Sequence, residues 1–211
     1  VFSGSGDIER LYRKQIHQIL QARHLFSDYF PLDEILISPK IVAPPPPMIP
    51  GEESIEPSLL HQTLSYTPGS PEFPTEYQAP SLTLVEALST GLDICLMGKA
   101  GYGKTTALVE AALSILKGRT QFPALSGKLP FLIQAQHILA QFPNSNIQEI
   151  LQKALAADLS STTQTDFSSL LFSSLQSGTC LLLLDDLGSL PKNDLDRVVN
   201  FIRVLKIQYP S

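Results

Sequence analysis

Two short stretches of this chain carry residues whose types and spacing suit phosphate chemistry. Gly98-Lys99-Ala100-Gly101-Tyr102-Gly103-Lys104-Thr105-Thr106 fits the pattern G-x-x-x-x-G-K-[ST] of a phosphate-binding loop, or P-loop. Gly98, Gly101 and Gly103 lack a Cβ, so the backbone is expected to take φ > 0 there and to approach a ligand closely. The loop's N–H groups would form an anion nest, reinforced by the free donors and positive dipole end of a following helix. Lys104 is expected to meet the β- and γ-phosphates as a cation, and the Thr105 hydroxyl to ligate Mg²⁺. Lys99 and Ala100 occupy the variable part of the loop, where Lys99 reads as a solvated charge. Tyr102 would either shield the phosphates or cover the turn.

The second stretch is Leu181-Leu182-Leu183-Leu184-Asp185-Asp186, an apolar strand ending in carboxylates. A buried strand carries an acid rigidly to the carboxyl edge of a sheet, where nucleotide sites lie, as in a Walker B segment. Asp185 is expected to hold Mg²⁺ directly or through water, and Asp186 to orient or deprotonate an attacking water. Roughly 80 residues separate Lys104 from Asp185, room for two crossover units of a parallel sheet.

These residues need elements to position them. Leu92–Met97 reads as a short buried strand ahead of the loop, and Thr105–Leu113 as the helix after it, stopped by Gly118. A short helix at Leu82–Leu88 and a turn at Gly91 precede that strand. Leu129–Ala135 reads as a second strand and Thr179–Asp185 as a third. Helices are expected at about Ile147–Ala157, Asp166–Leu175 and Asp194–Ile207. Strands alternating with helices predict an α/β fold with a parallel sheet covered on both faces.

Upstream, Asp7 can cap a helix running to about Leu25, with Ile8, Leu11, Tyr12, Ile16, Ile19 and Leu20 at helical spacing. Arg10, Arg13, Lys14 and Arg23 make it basic, which suits a solvated face above a packed stripe better than an anionic partner. Leu32–Ile37 reads as a short extended segment. From Ser38 to Pro80 the composition shifts to proline, with four in a row at Pro44–Pro47. That predicts a spacer, partly polyproline II, or a ligand for a proline-binding module. The expected division is therefore 1–37 (helix and short strand), 38–80 (linker) and 81–211 (the nucleotide-binding domain).

Composition narrows the class. The formal net charge is −5 and no dense Lys/Arg block appears, which argues against a dedicated nucleic-acid surface. Cys95 and Cys180 each fall within an expected buried strand and read as small core residues in a reducing, cytoplasmic setting. The four histidines form no cluster, and the longest apolar run is too short for a bilayer. The chain opens without methionine or a signal-peptide layout, which reads as a fragment of something longer.

Taken together, residues 98–108, 129–133 and 181–191 resemble a NACHT-type signal-transduction NTPase of the STAND class. Leu32–Val42 also resembles the short strand such proteins carry upstream of the P-loop. The resemblance implies a three-layer P-loop NTPase sandwich, incomplete at the carboxy terminus, in which a sensor strand after Walker B would insert between the P-loop and Walker B strands. It implies self-association through the NTPase domain and effector or sensor domains outside this chain, while the lack of a guanine-reading Asn-Lys-x-Asp motif points to ATP rather than GTP, with Mg²⁺. It also implies base recognition upstream of the P-loop, with residues 35–40 as the candidate segment. The isolated piece is then expected to expose apolar surface and to aggregate. One departure stands out: Asp186-Leu187-Gly188-Ser189 replaces the usual Gly-Leu-Asp-Glu, so the second acidic pair is missing. Asp186 instead resembles the second aspartate of the related NB-ARC NTPases, which would either permit slow hydrolysis or, with hydrolysis lost, leave a protein that binds nucleotide and holds it. The function expected is a nucleotide-gated switch controlling assembly of a signalling or defence protein. The alternatives are a P-loop kinase or ATPase of ordinary turnover, and a non-enzymatic module with a degenerate loop, against which the intact Lys104 and Thr105 argue.

Overall fold

Two apolar runs, Leu129–Gln134 (β3) and Cys180–Asp185 (β4), pair as a parallel sheet in register from Leu129 beside Cys180 to Gln134 beside Asp185. The computed structural model describes residues 5–24, 27–42, 81–118, 122–142 and 146–210. The proline-rich stretch 43–80 and Leu25 lie outside them. In chain order the other elements are α1 (Ser5–Gln21), α2 (Leu32–Ile35), β1 (Ile41–Val42), β2 (Ser81–Leu82), α3 (Leu84–Leu88), α4 (Lys104–Leu116), α5 (Ala135–Leu139), α6 (Ile147–Ala156), α7 (Ser161–Gln176) and α8 (Lys192–Gln208). The chain is thus mixed α/β, with α5, α6 and α7 making the crossover between the parallel strands.

β3 is buried almost throughout, as expected of a strand covered on both faces. Helix α4 packs on β3 and β4, α5 and α6 pack on β3, and α7 on β4. Helix α4 begins at Gly103 in the left-handed conformation and ends before Gly118, whose φ of +63° suits the residue after a helix. Thr83 and Glu86 close a reciprocal capping box on α3, the Thr83 backbone N–H donating to Glu86 Oε2 at 2.6 Å. These hydrogen bonds hold the Glu86 carboxyl below its ordinary pKa.

Helix α1 buries Ile8, Tyr12, Ile16 and Leu20, a stripe spaced by four, against α7 and α4. Two of its basic residues pair along the helix, Arg13 with Glu9 and Arg10 with Asp7, and Arg23, just past its end, pairs with Asp158. The packed-stripe reading of α1 therefore holds. Tyr12 stacks on Phe131 with ring centroids 5.1 Å apart and lies 5.6 Å from Phe167. The Tyr12 hydroxyl donates to Pro130 O at 2.9 Å. The Leu129 N–H donates toward β4, to Thr179 O, so the polar side of the next residue faces the other way. Pro130 puts its missing N–H on that outer edge, and Tyr12 supplies the donor its carbonyl needs. Burial raises the Tyr12 pKa well above the ordinary phenol value, with Cys180 adding to the rise. Tyr12→Phe keeps the ring but leaves that carbonyl without its donor. It is expected to lower unfolding free energy by about 1–2 kcal/mol, read as a shifted urea midpoint at constant slope.

Three sequence expectations are corrected. Leu92–Met97 forms no strand: a strand exists through a neighbour's N–H and C=O groups, and among the described residues none lies beside it. Leu92 and Met97 are 69% and 85% exposed, and Cys95 is exposed as well. The segment is instead tethered by Asp93, which ion-pairs with Lys206 on the last turn of α8, and by Leu96, which packs against a small cluster around Ala107 and Ala111. Second, Leu32–Ile35 is one turn of helix, entered from an extended Pro31, with Leu32 buried; the chain is extended only from Leu36 onward. Third, Cys180 lies in β4 and packs against the core as expected but is half-buried, not fully buried; desolvation still pushes its thiol up to about 12 despite nearby Lys128. Helix α5 was not foreseen either. Five residues that follow β3 without a break offer no separate period for a pattern to reveal.

Candidate functional site

Residues Gly98–Gly103 arch from the exposed 91–97 segment into the first turn of α4. Gly101 and Gly103 have φ of +81° and +77°, the left-handed region that a side chain strains to enter. Gly98 does not share it, contrary to expectation; its Cα faces Tyr102, whose Cβ would lie 3.7 Å from a Cβ built there. Tyr102 thereby packs beside Gly98, and its N–H donates to Lys99 O at 3.4 Å. Ala100 and Lys99 are exposed. As the residue capping α4, Gly103 has no side chain with which to satisfy the first-turn amides. Those amides point where an anion is favoured by the helix dipole.

Lys104 folds back over the loop. Its Nζ donates to Gly98 O and to Lys99 O, each at 2.8 Å. The ammonium is thus held at the mouth of the loop by two neutral carbonyls. Thr105 follows on the exposed side of the helix start, and Thr106 is half-buried.

The two motifs meet at Thr105 and Asp185. Thr105 Oγ1 donates to Asp185 Oδ1 at 3.1 Å across 80 residues of chain. The contact exists because α4 packs on both strands while β4 carries Asp185 to the end of the sheet. Asp185 is 8% exposed, and its Oδ1 also accepts the Asp186 N–H at 2.8 Å. Asp186 turns the chain sharply, with φ of +64°, the one non-glycine positive φ among the described residues. Aspartate is among the few side chains that tolerate that region. The Ser189 hydroxyl donates to Asp186 O at 2.9 Å and steadies the turn, leaving the Asp186 side chain exposed.

Two oxygen donors, Thr105 Oγ1 and Asp185 Oδ1, lie together beside the Gly98–Gly103 loop, which is the donor set a hard cation such as Mg²⁺ takes when phosphates and waters complete its shell. Among the described residues no three His, Cys, Asp or Glu side chains gather as an all-protein metal cage.

A third element reaches the site. The extended residues 36–40 run alongside α4, where the Pro39 ring lies against Gly103: a Cβ built on that glycine would sit 3.6 Å from Pro39 Cγ. Ser38 Oγ donates to Glu110 Oε1 on α4 at 2.6 Å. The segment expected to recognise a base therefore does lie beside the loop. Ser38 and Glu110 were missed as partners because 72 residues separate them and neither type carries a motif.

No family model, curated protein or solved structure matches this chain. Among the described residues no helix is long and apolar enough to cross a membrane.

Proposed function

We infer that this chain binds a nucleoside triphosphate, ATP before GTP, in the Gly98–Thr106 loop, and that it is part of a P-loop NTPase of the NACHT kind working as a nucleotide-gated switch. The observation that carries the reading is the Thr105–Asp185 hydrogen bond, which joins the two motif halves at one point. In this reading the loop amides and the start of α4 cradle the phosphates. Lys104 gives up its two carbonyl partners and turns its ammonium to the β- and γ-phosphates. Thr105 and Asp185 would hold Mg²⁺, which when bound neutralises charge between the β- and γ-phosphates. Asp186 is the group left to orient or deprotonate a water. With no second acidic pair behind it, hydrolysis is slow and serves as reset. Self-association and signalling or defence partners belong to the same proposal.

Calorimetric titration of the chain with ATP and magnesium tests the binding step: saturable heat is expected, and its absence with both ATP and GTP ends the case. Steady-state turnover tests the switch. Phosphate release well below about 1 s⁻¹ is expected, whereas about 1–100 s⁻¹ would mark an enzyme of ordinary turnover. Asp186→Asn is expected to leave ATP affinity within about twofold and to lower phosphate release about tenfold. Unchanged release would remove Asp186 from the chemistry.

A further inference from the structure

Helix α4 presents Gly103, Ala107 and Glu110 at spacings of four and three, so they share one face. Residues 36–41 run along α4 as a strap. Pro39 meets Gly103, Ser38 meets Glu110, and Ile41 packs into the cluster of Ala107 and Ala111. At the other end Leu36 packs against the main core. The strap is thus pinned by apolar contacts at both ends and by one polar contact in its middle. Between the inward Leu36 and Ser38, Ile37 is 89% exposed, an aliphatic surface on the strap that passes the phosphate loop.

We propose that the Ser38–Glu110 hydrogen bond is a latch that positions the strap for nucleoside recognition. It holds residues 36–40 against the P-loop helix so that the strap, with Ile37 on its open side, forms the wall the nucleoside meets while the loop takes the phosphates. Ser38 and Glu110 are positioning residues and touch no phosphate. The inference rests on the phosphate-loop reading above, but it makes a separate demand. Breaking the latch must weaken the nucleoside's share of affinity and spare the phosphates' share.

Inorganic tripolyphosphate separates the two shares. The chain and its Ser38→Ala, Glu110→Ala and Ser38→Thr variants are titrated with ATP and with tripolyphosphate, each with magnesium. Each alanine variant is expected to bind ATP about five- to tenfold more weakly, the loss of one part-buried hydrogen bond to a charged acceptor. The double alanine variant is expected to be no weaker than either single one, because the two residues share one interaction. Ser38→Thr keeps the hydroxyl and is expected to bind ATP as the parent does. Tripolyphosphate affinity is expected to stay within about twofold throughout. Unchanged ATP affinity in both alanine variants overturns the latch, and so does an equal loss of tripolyphosphate, which would mark general disturbance of the loop. A parent chain that binds tripolyphosphate as tightly as ATP also overturns it, while leaving the phosphate loop intact. A parent that binds neither removes the phosphate-loop reading and the latch with it. Should an alanine variant fail to fold, Ile37→Ser carries the same comparison from an exposed position: selective loss of ATP supports the wall, and unchanged ATP affinity overturns it.

Discussion

Lys104→Ala is expected to weaken ATP binding by about 100-fold, the loss of a charge-assisted contact of about 2–3 kcal/mol. The size of the effect follows from where the ammonium already stands. Two loop carbonyls, Gly98 O and Lys99 O, hold Nζ over the mouth of the loop. Little side-chain entropy is therefore left to lose when phosphate replaces them. The cost to the fold is expected to be small. Alanine is a good first-turn residue for α4, and the loop around the two carbonyls is exposed enough for water to take the lysine's place. Thermal melting in the absence of nucleotide should thus move by no more than about 1–2 °C while calorimetry records the loss of affinity. Lys104→Arg is expected to recover only part of it, since a planar fork does not replace a compact ammonium in a loop closed around it. Binding within about threefold of the parent after Lys104→Ala would show that the phosphates do not sit in this loop.

What the sequence made legible, and what it hid, divides along the range of the forces involved. Helix α4, β3 and β4 were readable because local composition fixes them: glycines at a turn and then helix formers, and unbroken runs of large apolar residues. The meeting of Thr105 and Asp185 at one end of the sheet was readable only through the two motifs, since no periodicity links residues 80 apart. Leu92–Met97 was misread for the complementary reason. Its apolar composition is that of a strand, yet strand formation depends on a partner's backbone, and composition does not supply one. The packing of α1 on β3 was likewise out of reach. Its stripe announced a buried face, but that Tyr12 would satisfy the carbonyl of Pro130 depends on a partner 118 positions along the chain. The strap along α4 has the same origin: Ser38, Pro39 and Ile41 are unremarkable in sequence and acquire meaning only from the helix they lie on.

Asp185→Asn is expected to lower ATP affinity about 10- to 30-fold with magnesium and to leave it unchanged in EDTA. The asparagine Oδ1 can still accept from Thr105 Oγ1 and from the Asp186 N–H, so the turn after β4 should keep its shape. What the substitution removes is the negative charge, and a charge buried to 8% exposure matters most to a cation that would stand beside it. Thr105→Ala removes the other oxygen donor without altering charge, and about a fivefold loss is expected, again only with magnesium. Because both side chains would serve one ion, the double variant should lose less than the product of the two single losses, a coupling that independent sites would not show. Equal losses with magnesium and in EDTA would place Asp185 in the packing of the strand end instead of at a metal. Purely multiplicative losses would separate the two motifs that the Thr105–Asp185 hydrogen bond joins.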